Sequence, residues 1–239
     1  MIAKLLRRHG VLAVTGTDTD AGKTRCCVAL LRSAAREGLA AAAVKPVASG
    51  GEFAHGVWRH DDALALHAAM EEDARAFLRG AGVDPAQPLL AFREPMAPVS
   101  AALLEGRKLP LGALRRRLGS LAEAAREERM PLLIEGVGGA LVPLSRKSTF
   151  ADLVADLGVP ALVVGRTHLG AINHMLLTLE ALASRGVPVA AVVLSRTAPD
   201  VPPEIERSAF REIRPRLPAR APFLLLRHGS ESFEPVPRD

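Results

Sequence analysis

The sequence predicts an α/β domain, with a mostly parallel sheet and helices on both of its faces. Short runs that are apolar almost throughout recur at 11–15, 40–44, 131–134, 161–164, 187–194 and 222–226. Strands buried on both faces of a parallel sheet read this way. Longer amphipathic stretches fall between them, at 24–37, 62–70, 111–128, 149–157, 171–184 and 204–217, and that alternation selects the architecture. Of 239 residues, 49% are hydrophobic and 24% charged, which suits an ordinary globular core and not a disordered chain.

Composition also excludes several functions. The net charge is +5, but the arginines are interleaved with Asp and Glu, and no dense basic run stands out. With no Tyr, one Trp and seven Phe, few platforms exist for stacking bases, so nucleic acid is not an expected partner. The two cysteines, Cys26 and Cys27, are adjacent and form neither a disulfide framework nor a zinc knuckle; they read as small apolar residues on a helix. The apolar part of the N-terminus is too short for a signal peptide, and the longest apolar stretches fall short of a membrane span. A reducing cytoplasm is the expected compartment, with no membrane partner.

In a sheet of this kind ligands bind beyond the carboxyl ends of the strands, so the residues that follow each strand matter most. The first strand leads into Gly16-Thr17-Asp18-Thr19-Asp20-Ala21-Gly22-Lys23-Thr24 and then a helix. Strand, loop, Gly-Lys-Thr and helix form a P-loop. Backbone N–H groups from Asp20 to Thr24 and the helix start would hold phosphate oxygens, Lys23 would reach the outer phosphates, and the Thr24 hydroxyl would bind Mg²⁺. The strict pattern wants glycine six positions before the lysine, where Thr17 stands; Gly16 is one place early. Asp18 occupies the position where switch-type ATPases carry a second lysine, which argues against a partitioning ATPase.

The second strand runs into Lys45-Pro46-Val47-Ala48-Ser49-Gly50-Gly51, where a lysine before proline ends the strand and projects a cation toward the same crevice. Residues 51–108 break the rhythm with several Pro and Gly, and read as an irregular insertion within a single domain spanning 1–239. Within it Asp61-Asp62 opens a helical run, either as an N-cap pair or as a source of one metal ligand. The strand at 131–134 ends in Glu135-Gly136-Val137-Gly138-Gly139, a carboxylate placed to hold Mg²⁺ and then glycines that admit a ligand. Gly170, Ala171 and Asn173 open another helix whose free N–H groups suit a carboxylate or phosphate, while His174 reads as structural. In the last helical stretch Ile205, Ala209, Ile213 and Leu217 recur every four residues.

Together these residues resemble the dethiobiotin synthase family of P-loop NTPase-like enzymes. The stretches Val14 to Thr24, Lys45-Pro46-Val47-Ala48-Ser49-Gly50, Asp61 to Leu66, Glu94-Pro95-Met96-Ala97-Pro98, Glu135 to Gly139, Pro143-Leu144-Ser145, Thr149-Phe150-Ala151-Asp152 and Leu169 to His174 occur in the family's order. The resemblance implies a homodimer that uses ATP and Mg²⁺ to join CO₂ to 7,8-diaminononanoate through a carbamate and a carbamic–phosphoric anhydride. It implies Mg²⁺ on Thr24, Asp62 and Glu135, and Lys23, Lys45, Thr19 and Ser49 around the reacting groups. Gly138 would back the ligand, and Gly170, Ala171 and Asn173 of a partner would bind the distal carboxylate. One departure lies at the base-binding end: where many members carry Asn after the fifth apolar run, this sequence has Ser195-Arg196, and Leu226 leads into Arg227-His228-Gly229. Weak discrimination among nucleotide bases, or a different use of Arg196, is therefore expected. The competing reading is a nucleotide-dependent switch without ring-closing chemistry; an amide-forming synthetase for a larger acid lacks room for the glutaminase domain it would need.

Overall fold

All six apolar runs enter one sheet. The computed structural model describes residues 1–236. The chain begins with α1 (Ile2–His9), β1 (Val11–Gly16), α2 (Lys23–Arg36) and β2 (Ala42–Val44). Next come β3 (Val47–Ser49), β4 (Glu52–Ala54), β5 (Val57–Arg59), α3 (Asp61–Ala69), α4 (Glu72–Gly80), β6 (Leu90–Phe92) and α5 (Pro98–Leu104). The remainder is α6 (Leu111–Glu127), β7 (Leu132–Gly139), α7 (Phe150–Leu157), β8 (Ala161–Arg166), α8 (Ala171–Ala183), β9 (Val189–Ser195), α9 (Pro203–Ile213), β10 (Phe223–Leu226) and β11 (Phe233–Pro235).

The main sheet has seven strands in the order β11-β10-β9-β8-β1-β7-β2, parallel throughout except where β11 joins β10 antiparallel. Every residue of β1 is buried, which requires cover on both faces of the sheet. Ala13, Val14, Leu133, Ile134, Leu162, Val163, Val192 and Val193 fill its centre. Each such Val, Leu or Ile contributes roughly 1.5–3 kcal/mol relative to an exposed position. The P-loop NTPase-like fold that the sequence predicts is the one observed. Among the described residues, no helix is long and apolar enough to cross a membrane.

Five elements depart from the sequence expectation, the first being β7, which runs on through Glu135 to Gly139 instead of stopping at Ile134. Helix α1 was not anticipated, although Ile2, Ala3, Leu5 and Leu6 are buried on one side of it. Its N-terminus is held from a distance: Glu37 accepts from the Met1 ammonium at 2.7 Å and from the Ile2 and Ala3 N–H groups at 3.1 and 3.2 Å. A carboxylate at that end satisfies free donors and complements the helix dipole, yet no local capping signal exists. The stretch 51–108 is more regular than expected. β3 pairs parallel with β6, β4 pairs with β5 as a hairpin, and three helices follow or intervene. The final helix stops at Ile213, four residues early, and a 3₁₀ turn covers Arg214–Arg216, because Pro215 lacks an N–H group to continue the ladder. Strand β11 is a short edge strand without an apolar run to announce it.

Leu6 is 1% exposed, so Leu6→Ala is expected to lower unfolding free energy by about 2–5 kcal/mol in urea denaturation, showing α1 to be part of the cooperative core. A change under about 0.5 kcal/mol would show that α1 frays independently.

Candidate active site

The loop between β1 and α2 is shaped by two glycines. A Cβ at Gly16 would lie 2.8 Å from the Asp18 carbonyl oxygen, so glycine is needed one place before the position the strict pattern names. Gly22 has φ +87°, in the left-handed region, and a Cβ there would lie 2.7 Å from Ser195 Oγ. Between them the Thr17 N–H donates to the Val164 carbonyl at 2.9 Å, tying the loop to β8. Among the described residues no side chain caps α2, which leaves its first N–H groups available to an anion. Lys23 Nζ folds back over the loop and donates to the Asp18 carbonyl at 3.2 Å.

Strand register brings the remaining charged groups together. Val44 lies opposite Ile134 in the parallel pair of β2 and β7, so Lys45, just past the end of β2, stands beside Glu135, which stays inside β7 and pairs with Val14 of β1. Lys45 Nζ donates to Glu135 Oε1 and to Asp62 Oδ2, both at 2.6 Å, and the Thr24 hydroxyl donates to the same Glu135 oxygen at 2.6 Å. Lys45 is 3% exposed and Glu135 0%, so this pair sits nearly out of water. Glu135 Oε2 is buried with no hydrogen-bond partner among the described residues. Of the adjacent acids at the start of α3, Asp62 reaches Lys45 and Asp61 is exposed.

Burial alone would pull the Lys45 ammonium down; Glu135 and Asp62 outweigh it and hold its pKa above the ordinary lysine value. Burial and then the Lys45 charge push the Lys23 ammonium below that value, with Glu135 and Asp62 opposing only in part. For Asp62 burial acts to raise the pKa, but Lys45 and the Thr24 hydroxyl overcome it, and the carboxyl sits below its ordinary value. The site is built for electrostatic stabilisation, and an arriving anion would offset the burial and the Lys45 charge that hold Lys23 down.

A cavity of about 460 Å³ joins these groups, lined by Thr19, Asp20, Gly22, Lys23, Thr24, Arg25, Lys45, Ala48, Ser49, His60, Asp62, Val137 and Gly138. Ala21 is fully buried in the loop wall, and Glu135 stands behind Lys45 and Thr24. Four lining residues were not singled out as site residues: Ala48 and Val137 stand inside recognised motifs, and Arg25 and His60 were missed. Arg25 directly follows the Gly-Lys-Thr triplet, and His60 directly precedes the acid pair and meets the Ser49 carbonyl through Nε2 at 3.0 Å. Their adjacency to recognised motifs was the one signal available.

Other predicted residues lie elsewhere. Ser195 is fully buried at the end of β9, and Arg196 is held by Glu206 at 2.5 and 2.8 Å. Gly170, Ala171 and Asn173 form the start of α8, where Gly170 and Asn173 are exposed and Ala171 is buried. None of these five lines the cavity.

The glycine-shaped loop, the uncapped helix start and the two converging lysines define a P-loop nucleotide-binding protein. The sequence model of the AAA domain family matches residues 10–222. The ATP-dependent dethiobiotin synthetase of Anaeromyxobacter dehalogenans (strain 2CP-C) is 42% identical over 217 residues, covering 90% of this chain and 88% of that protein. The protein of the same name from Aromatoleum aromaticum is 39% identical over 186 residues, covering 78% of this chain and 77% of that one. The chain belongs to the dethiobiotin synthetase family.

Replacing Lys45 by Ala leaves the Glu135 carboxylate buried without its cation. Equilibrium unfolding of Lys45→Ala is expected to show a loss of about 3–5 kcal/mol, and an unchanged midpoint would mean the Lys45–Glu135 pair does not hold the fold together. For Asp62 the folded-state pKa lies below the ordinary 3.8, so the ionised form stabilises the fold. That contribution is complete above the unfolded value and drains as pH falls through it. The stability gap between the parent and Asp62→Asn is expected to hold from neutral pH to about 5 and to narrow below about 4, where a widening gap would reverse the assignment.

Proposed function

We propose that this chain is an ATP-dependent dethiobiotin synthetase that joins CO₂ to 7,8-diaminononanoate and closes a cyclic urea. One cavity holding Lys23, Lys45, Thr24 and Asp62 at the mouth of a phosphate loop carries the reading, together with the family relationship. In the reaction one amine adds to CO₂ and forms a carbamate. A carbamate oxygen attacks the γ-phosphorus, the bond to the β–γ bridging oxygen breaks, and ADP leaves. The second amine then attacks the carbonyl carbon of the mixed anhydride, loses its proton, and expels phosphate.

Two anions must meet in this sequence, so the protein's task is to concentrate positive charge rather than to supply a nucleophile. The N–H groups of Asp20, Ala21, Gly22, Lys23 and Thr24 hold phosphate oxygens, and Lys23 and Lys45 neutralise the charge shared between carbamate and γ-phosphoryl group. Thr19 and Ser49 lie against the carbamate and the amines, and Gly138 backs the ligand. Thr24, Asp62 and Glu135 fit a hard cation: all offer oxygen, and Glu135 Oε2 has no partner among the described residues. Among those residues no cluster of three His, Cys, Asp or Glu side chains could hold a metal alone, which suits Mg²⁺ arriving with the nucleotide. The ion would supply further neutralisation of the phosphoryl oxygens.

The substrate's distal carboxylate falls to Gly170, Ala171 and Asn173 of a second subunit, and Ser195 and Arg196 stand at the base end. Exposed Leu169 and Leu177, 87% and 56% accessible beside and on α8, support a homodimer that covers them. The buried free thiols Cys26 and Cys27 accord with a reducing cytoplasm.

Phosphate release measured with each component omitted tests the reading. Release is expected only when diamine, bicarbonate, Mg²⁺ and ATP are all present, and Lys23→Ala should lower kcat/KM by about 10²-fold or more while the protein stays folded. Hydrolysis independent of the diamine would point instead to a nucleotide-dependent switch.

A further inference from the structure

We propose that Arg25 positions the base end of the nucleotide site, and that this end discriminates weakly among nucleoside triphosphates. The proposal rests on the nucleotide reading above and extends it to which nucleotides are accepted. Lys45, Asp62 and Glu135 lie on the β2 and β7 side of β1, so the terminal phosphoryl group points that way. The rest of a nucleotide held by the loop must leave toward the opposite side, where β9 and β10 end. Gly22 already packs there: a Cβ on it would lie 2.7 Å from Ser195 Oγ and 3.5 Å from Thr197 Cγ2.

At that end Arg25 acts as a strut. Its Nη1 donates to Ser195 Oγ at 3.1 Å and to the Arg196 carbonyl at 3.0 Å. Its Nη2 donates to the Arg227 carbonyl and, at 3.2 Å, to the Ser230 carbonyl. One guanidinium fork thereby fixes the ends of two strands to the helix that carries Lys23 and Thr24.

The same bonds consume the groups that would read a base. Ser195 Oγ is buried under Arg25, the Arg196 side chain is paired with Glu206, and the Arg227 side chain is paired with Glu234 at 2.7 and 2.8 Å. The Arg196 N–H donates to the Leu226 carbonyl at 2.9 Å, and the Ser230 hydroxyl is engaged with Ser232. The side chains left nearby, Thr197 and His228, are exposed, where water competes for every hydrogen bond. Each carbonyl keeps a second lone pair, which permits contact with an amino group without selecting one heterocycle.

A site built to hydrogen-bond its ligand rejects an analogue by about 10⁴-fold, whereas a pocket without such groups rejects by about 10²-fold at most. Diamine-dependent phosphate release should therefore show kcat/KM values for ATP, GTP, CTP and UTP within about 10²-fold of one another. A wider preference for any one of them would overturn the weak selectivity. Arg25→Ala and Arg25→Lys should raise KM for all four nucleotides in parallel, by about tenfold, with kcat and the diamine KM nearly unchanged. Arg25→Lys keeps the charge and loses the fork, so it decides the matter if Arg25→Ala does not fold. An unchanged nucleotide KM in a folded variant removes Arg25 from the role. Absence of turnover with all four nucleotides would instead overturn the synthetase reading itself.

Discussion

One ammonium held between two carboxylates, nearly out of water, sets the terms for the rest of this site. Lys45 touches Glu135 and Asp62 at the same 2.6 Å, and neither Lys45 nor Glu135 has meaningful contact with solvent. A buried charge of either sign alone would cost several kcal/mol, so each requires the other. The pair is therefore stable only as a unit, and it keeps a cation and a carboxylate poised beside the phosphate loop. Neutral hydrophobic residues would fill the same space at less risk to the fold. Fixed charges in a dry site need no reorganisation when negative charge develops beside them.

The sheet is what makes that pair possible. β1 lies between β7 and β8, and β7 lies between β1 and β2. The phosphate loop after β1, the Lys45 turn after β2 and Glu135 within β7 thus meet on three adjacent strands toward one edge of the sheet. Asp62 reaches the cluster from the first turn of α3, beyond the β4–β5 hairpin, so residues 51–108 contribute a carboxylate and a wall to the site as well as separating strands.

Much of this was legible in the sequence because parallel strands buried on both faces advertise themselves as unbroken apolar runs, and all six runs became strands of one sheet. Lys45 and Glu135 were legible because each directly follows an apolar run, whereas Lys23 and Thr24 were legible from the Gly-Lys-Thr triplet between a strand and a helix. What could not be read depends on contacts distant in sequence. α1 is capped by Glu37, more than thirty residues on. The residues alone left Asp61 and Asp62 open, and only the family resemblance named Asp62; helix phase toward Lys45 makes the choice. Arg25 carries no motif of its own; its role comes from reaching residues 195–230 across the sheet. The short strands β4, β5 and β11 lie at edges, where half-exposed residues leave no apolar signature.

The coupling between Lys45 and Glu135 is measured most directly by a double-mutant cycle on stability, using Lys45→Met, Glu135→Gln and the double variant, with diamine-dependent phosphate release followed in all three. Each single change should be strongly destabilising, and the double should recover at least about 1–3 kcal/mol of the summed loss while remaining inactive. Additivity within about 0.5 kcal/mol, or a double variant that still turns over, would contradict the view that this pair is held together for the chemistry.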